Sequence, residues 1–94
     1  MSITTRLLRE DPISGARDWL SIEISFSDSH VTRLIIKGVI EVNYDAPGLD
    51  QLHSLNCAVH YLVAFINFER DKMVKFFHPL DLSVEWEPET WLSN

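Results

Sequence analysis

Alternation of apolar and polar residues is clearest over residues 19–27 (WLSIEISFS). A period of two residues is typical of a strand with one face on a core and the other in solvent. Residues 3–9 have moderate β character, and residues 31–44 continue as a second strong strand. Gly38 falls on the apolar face of that strand, which indicates a bulge or a close approach by a helix. The pattern predicts three antiparallel strands in the first half of the chain.

The longest stretch without Asp, Glu, Lys or Arg lies between Asp50 and Glu69, and it reads as one helix ending near Phe68. Asp45 is a candidate cap, and Pro47 suits a first turn. A surface helix normally has a wide charged face, so we expect this one to be covered on more than one side. The stripe predicted to pack on the sheet consists of Leu49, Leu52, Leu55, Val59, Leu62, Val63 and Ile66.

The end of the chain predicts a short strand over residues 73–77 and then an edge strand or an extended tail across the helix. In the latter part, Leu82, Val84 and Trp86 alternate with polar residues. The predicted fold is therefore α+β, a single domain over residues 1–94. It has a three- to four-stranded antiparallel sheet with one long helix on a face, in the order β-β-β-α followed by a strand or tail.

The balance of charge excludes several classes of partner. The chain of 94 residues has a formal net charge of −6 and only eight Lys and Arg. An acidic chain disfavours nucleic acid and an anionic membrane surface, whereas a basic protein would complement it. One cysteine excludes an intramolecular disulfide and favours a reducing cytoplasm. Residues 1–10 lack the continuous apolar segment of a signal peptide, and the polar residues of the helix argue against a membrane span.

One stripe of the predicted helix has residue types that bind metals. His53, Cys57 and His60 lie at positions i, i+4 and i+7. Histidine and cysteine are zinc ligands, and a catalytic zinc site needs three protein ligands. The thiol of Cys57 beside a histidine also suits a nucleophile. We favour the simpler interpretation, a semi-polar rim on a buried helix with Cys57 as a small apolar residue. No catalytic residue and no cofactor are predicted, and the chain is interpreted as a non-enzyme.

Two surfaces are candidates for binding proteins. The first combines acids with large aromatics near the end of the chain and would suit a basic partner. Its residues are Asp81, Glu85, Trp86, Glu87, Glu89 and Trp91. In the alternative interpretation, the two tryptophans close the core and the acids are merely solvated. The second surface is an aromatic ridge of Tyr61, Phe65 and Phe68, which would form the two-fold interface of a homodimer.

The run from Gly48 to Leu55 (GLDQLHSL) follows a β-hairpin and precedes an aromatic tail. It resembles a helix found in small uncharacterised bacterial proteins. The small size, the acidity and the strand–strand–helix order also resemble immunity proteins of bacterial toxin systems. The resemblance covers about the middle half of the chain and brings no catalytic residues with it. It implies a bacterial binding protein, most concretely an immunity-type inhibitor of a toxin. A self-associating structural module and a zinc-binding protein remain the alternatives.

Overall fold

The computed structural model describes residues 2–88 and has one helix packed on a single antiparallel sheet. The elements are β1 (Ser2–Glu10), β2 (Arg17–Asp28), β3 (Val31–Lys37), β4 (Val42–Pro47), α1 (Gln51–Asp71), β5 (Lys75–His78) and β6 (Asp81–Glu85). The strand order across the sheet is β4-β3-β2-β1-β5-β6. The α+β class and the single long helix agree with the prediction. The sheet has six strands, however, and the prediction of three or four was wrong.

The first additional strand arises at Gly38, where the predicted strand over residues 31–44 folds back on itself. Gly38 has φ +149°, a conformation that side chains disfavour. A Cβ at this position would lie 2.6 Å from the carbonyl oxygen of Trp19 and 2.8 Å from Leu20 Cδ2. The predicted close approach at Gly38 therefore occurs, but against the backbone of β2 and not against the helix.

The remaining strands form from the segment that follows the helix. β5 pairs with β1, with Phe77 opposite Leu8. β6 pairs irregularly with β5 and is exposed along its whole length. Beyond β6, the Trp86 N–H donates to the Phe76 carbonyl oxygen at 2.7 Å. This bond holds the chain against β5 as the Trp86 side chain enters the core.

The core lies between the helix and one face of the sheet. Cross-strand pairs such as Leu7–Leu20 and Ile22–Ile36 place apolar side chains on the same face. The buried cluster consists of Leu7, Leu20, Ile22, Leu34, Ile36, Leu62, Ile66, Val74, Phe76 and Trp86. Full burial of each large aliphatic side chain contributes roughly 1.5–3 kcal/mol to folding. This packing fixes which face of the sheet is covered.

The face of the helix that packs on the sheet shares Leu62 and Ile66 with the predicted stripe but differs from it in the first half of the helix. Its buried residues are Ser54, Ala58, Leu62, Ile66 and Glu69. Leu49 and Leu52, which the prediction placed in the packed stripe, are 91% and 76% exposed. Small residues at 54 and 58 allow the helix to approach the sheet closely. The Ser54 hydroxyl lies 2.6 Å from the Thr32 hydroxyl of β3, so its burial is compensated by a hydrogen bond.

Hydrogen bonds define both ends of the helix. The N-cap is Asp50, whose Oδ1 accepts from the His53 N–H at 2.8 Å. Asp45 is not the cap, because it lies within β4 and pairs with Arg33. After Asp71, the chain leaves the helix through Met73, which has φ +71°.

A second side of the helix is covered by residues 86–88. Trp86 and Pro88 line a small apolar cavity of about 60 Å³ with helix residues Val59, Val63 and Ile66. His53, Asn56 and other residues on the remaining side are exposed. Among residues 2–88, no helix is both long enough and apolar enough to cross a membrane.

Candidate functional site

The face of the sheet opposite the helix carries a row of three polar side chains. Strand register places Arg6 of β1 opposite Ser21 of β2, and Ser21 opposite Lys37 of β3. All three residues are exposed. Because neighbouring strands lie about 4.8 Å apart, the Cα atoms of Arg6 and Lys37 are separated by roughly 10 Å. We call Arg6, Ser21 and Lys37 the central row.

An apolar row lies beside the central row on the same face. Phe77, Leu8 and Trp19 are opposite one another on β5, β1 and β2. Leu8 and Phe77 are buried, whereas Trp19 is 40% exposed. The Arg6 guanidinium carbon lies 4.3 Å from the centroid of the Trp19 ring, and that of Arg17 lies 4.7 Å from the Phe77 ring. Such cation–π contacts contribute about 0.5–1 kcal/mol at exposed sites and orient the guanidinium groups.

Two other cations of this face, Arg17 and Arg33, are paired with acids. Arg17 Nε lies 2.9 Å from Glu10 Oε1, and Arg33 Nε lies 2.8 Å from Asp45 Oδ1. The Arg33 guanidinium holds the pKa of Asp45 below its ordinary value, mainly through the hydrogen bond between them. Within residues 2–88, neither Arg6 nor Lys37 makes an ion pair with an acid. The central row therefore presents two available positive charges.

A shallow, open depression of about 520 Å³ lies over the central row. Its lining consists of Thr4, Thr5, Arg6, Trp19, Ser21, Lys37 and Pro79. The lining combines an indole face, two cations and several hydroxyl groups. This arrangement can receive a side chain or a short segment of another molecule, but it does not enclose a substrate.

Two acids of the predicted acidic surface, Glu85 and Glu87, lie beside Arg70. Arg70 lies between Glu85 and Glu87, with nitrogen-to-oxygen distances of 3.7 and 3.3 Å. Asp81 lies apart from them and accepts hydrogen bonds from the N–H and the hydroxyl of Ser83 at 3.1 and 2.6 Å. These bonds lower the pKa of Asp81.

Trp86 does not lie with the acids of that surface on the exterior. Trp86 is only 6% exposed and belongs to the core cluster, as in the alternative interpretation of the sequence. Trp86 is thus inaccessible as a contact residue in this conformation. Glu89 and Trp91 lie outside the described residues.

The residues of the predicted aromatic ridge differ in how far they are buried. Tyr61 stacks on Tyr44 of β4, with ring centroids 4.2 Å apart. Phe65 is half-buried against the core. Phe68 is 60% exposed, and the Lys72 Nζ lies 4.2 Å from its ring centroid. Tyr61, Phe65 and Phe68 border an open, mostly apolar depression of about 560 Å³.

The predicted metal stripe does not gather a ligand set. Among residues 2–88, no group of three or more His, Cys, Asp or Glu residues is placed to hold a metal ion. The His53 Nδ1 accepts a hydrogen bond from the Leu49 N–H at 2.9 Å, so that nitrogen already serves the start of the helix. Cys57 is a half-buried free thiol.

The alternation over residues 19–27 puts Trp19 on the polar face of its strand, although no role for it was predicted. The informative signal was a large aromatic residue on a face otherwise composed of Ser and Glu. Arg6 and Lys37 belong to strands whose pairing cannot be read from the chain. Only the observed register brings them to either side of Ser21.

No protein-family model matches the chain, and neither a curated protein nor a solved structure was found to match it. A functional proposal therefore depends on the geometry of the chain's own residues.

Proposed function

We propose that this protein is a non-enzymatic binding protein that holds another protein on the open face of its sheet, with Trp19 as the anchor. The observation that carries the proposal is a half-exposed Trp19 whose ring is held against Arg6, on a face that no described element covers. Tryptophan and arginine are the residues most enriched at energetic centres of protein interfaces. The shallow depression around them suits a protein surface better than a small substrate, which is normally enclosed.

The net charge and the resemblance give the proposal its most concrete form, an immunity-type inhibitor of a toxin. A net charge of −6 attracts a basic protein over distances longer than direct contact. Exposed acids such as Asp81 contribute to this attraction without having to lie in the interface. A nuclease toxin, whose substrate is a polyanion, would present such a basic surface.

The test begins with site-specific photo-crosslinking in the producing cell. A photoreactive residue replaces Ser21 on the open face or, as a control, the exposed Leu49 at the start of the helix. We expect a partner to be captured from position 21 but not from position 49. Products at twice the mass of the chain would instead indicate a second copy.

The captured protein is then purified and its affinity measured by calorimetry. Trp19→Ala should weaken binding about thirtyfold or more, as expected for an anchor tryptophan. Phe68→Ala, which removes an exposed aromatic from the helix, is the matched control and should bind normally. Equal affinity of Trp19→Ala and the unchanged protein would overturn the proposal.

The second candidate function is self-association through the helix. It is favoured by the exposed Phe68 beside the apolar depression that Ile40 and Phe65 also line. A two-fold interface there would bury the ring that is otherwise in solvent. Sedimentation equilibrium should show a dimer that Phe68→Ser dissociates and Trp19→Ala does not. A monomer at several hundred micromolar would end this alternative.

A further inference from the structure

We infer that the central row of Arg6, Ser21 and Lys37 recognises a carboxylate side chain of the partner protein while Trp19 packs against an apolar neighbour of that side chain. This inference rests on the proposed function and specifies the chemistry of the segment that is bound. The motif it predicts is an extended segment in which an apolar residue and an Asp or Glu are two positions apart.

The first argument is the distribution of ion pairs. Fourteen acids outnumber eight Lys and Arg in the chain. Five of those cations pair with acids within residues 2–88: Arg9, Arg17, Arg33, Arg70 and Lys72. Arg6 and Lys37 do not, although Glu23 lies only one row away on the same face. Among residues 2–88, three cations therefore lack an ion pair with an acid: Arg6, Lys37 and Lys75. The two that share the central row, Arg6 and Lys37, are available together to an external anion.

The second argument is geometric. The Arg6 guanidinium offers a planar fork of donors, Lys37 a compact positive charge and Ser21 a hydroxyl between them. This combination matches a carboxylate, which accepts several charge-assisted hydrogen bonds. The contact with the Trp19 ring, at 4.3 Å, limits the freedom of Arg6 before any ligand arrives.

The spacing along β2 defines the second half of the motif. Trp19 and Ser21 are two residues apart on one face, which corresponds to roughly 6.8 Å along a strand. An extended partner segment has the same repeat, so an apolar side chain over Trp19 places the side chain two positions away over Ser21. Leu8, opposite Trp19, is buried and supports the indole from below.

The charges around the central row favour a single carboxylate over a polyanion. The chain as a whole repels a polyanion such as nucleic acid. Glu23, in the row next to Ser21, opposes a run of successive acids along the sheet. A single carboxylate on a protein segment meets the two cations without meeting this repulsion. The structure therefore favours an isolated Asp or Glu over a phosphate-rich ligand.

The test is a titration of the ¹⁵N-labelled protein followed by NMR. The probe is a blocked leucyl-seryl-glutamate peptide, and its matched control has glutamine in place of glutamate. We expect shifts confined to the central row and the Trp19 indole, with the glutamine peptide binding about threefold to fivefold more weakly, as for an exposed ion pair. Arg6→Gln and Lys37→Gln should each remove most of that preference. Arg6→Lys, which retains the charge but not the fork, should remove part of it.

The outcomes separate this inference from the proposed function. Equal binding of both peptides, with shifts at Trp19, would overturn carboxylate recognition while leaving protein binding by the open face intact. Inorganic phosphate that shifts the central row at lower concentration than the peptide would reassign the row to phosphate. No shift from either peptide up to about 10 mM would overturn the inference even if photo-crosslinking from position 21 succeeds.

Discussion

Trp19 and Trp86 show how position decides what one residue type does in this protein. Trp19 lies on the solvent face of a strand, where its ring contacts a guanidinium group. Trp86 follows the end of an edge strand and enters the core beside Leu62 and Ile66. The first can therefore contact a partner, whereas the second stabilises the fold.

This difference predicts unequal losses of stability when the two side chains are truncated. Trp86→Ala should lower the free energy of unfolding by about 3–5 kcal/mol, because it removes a large buried aromatic. Trp19→Ala should cost about 1 kcal/mol or less, since the residue is near the surface. Urea unfolding followed by circular dichroism measures both. Similar losses in the two variants would contradict the assignment of Trp86 to the core.

Asp45 gives a prediction for the dependence of stability on pH. The Arg33 guanidinium lowers the pKa of Asp45 in the folded protein. The stabilisation is therefore complete above the unfolded pKa of about 3.9 and is lost as the pH falls through the lower, folded value. Asp45→Asn should not lose this stabilisation in acid, because it has no carboxylate to protonate. Arg33→Gln should likewise abolish this contribution to the pH dependence of the unfolding free energy. Unfolding free energies measured between about pH 5 and 2 test it. An unchanged pH dependence in both variants would argue against the pair in solution.

At the scale of elements, the strength of a local pattern determined what the sequence could predict. Alternation over residues 19–27 identified β2, and the uncharged stretch identified α1. The division of residues 31–44 was missed because apolar alternation continues on both sides of Gly38. Only the proximity of β2 shows why the chain must turn there.

The packed face of the helix was predicted correctly at Leu62 and Ile66 but not at its start, for a related reason. Apolar residues occur on several sides of α1, so periodicity does not distinguish the side that meets the sheet. The packed side begins with Ser54 and Ala58, which are small enough for a close approach to the sheet. Ser54 also forms a hydrogen bond with Thr32. Leucines at 49 and 52 signalled burial more strongly, yet they are exposed.

The end of the helix offers a stabilising substitution. The N–H of Met73 donates to the Arg70 carbonyl and that of Val74 to the Glu69 carbonyl, which is the Schellman pattern. Met73 occupies its left-handed position, at φ +71°, where glycine is usual. Met73→Gly should raise the free energy of unfolding by about 1 kcal/mol, because the side chain no longer opposes that conformation.

Met73→Ala is the control for this substitution. It removes the same exposed side chain but keeps a Cβ, so it should leave stability nearly unchanged. Thermal unfolding of the two variants in parallel distinguishes the backbone effect from the loss of the methionine side chain. A gain in Met73→Ala equal to that in Met73→Gly would contradict the explanation.

At the scale of the whole molecule, one helix on a six-stranded sheet produces two unequal sides. The covered side buries the core, and the open side brings Arg6, Ser21 and Lys37 together from three strands. The candidate site could not be predicted from the sequence, because the register of β1, β2 and β3 decides which of their residues lie side by side. The acids near the end of the chain were visible in the sequence, but their arrangement around Arg70 was not.

The separation of these two regions predicts that their charges act on different steps of binding. Asp81 lies on the edge strand and away from the central row in strand order, so it should steer a basic partner without contacting it. Asp81→Lys should slow association about twofold to fivefold at low salt and leave dissociation unchanged. In about 1 M salt, where the screening length is roughly 3 Å, the effect should vanish.

Lys37→Gln is the matched variant within the central row, and it should accelerate dissociation with little effect on association. Stopped-flow mixing with the captured partner measures both rate constants across a range of salt concentrations. If Asp81→Lys accelerates dissociation instead, Asp81 lies in the interface and the acidic surface predicted from the sequence is a contact surface. The two rate constants thus decide whether the acids of the edge strand attract the partner or hold it.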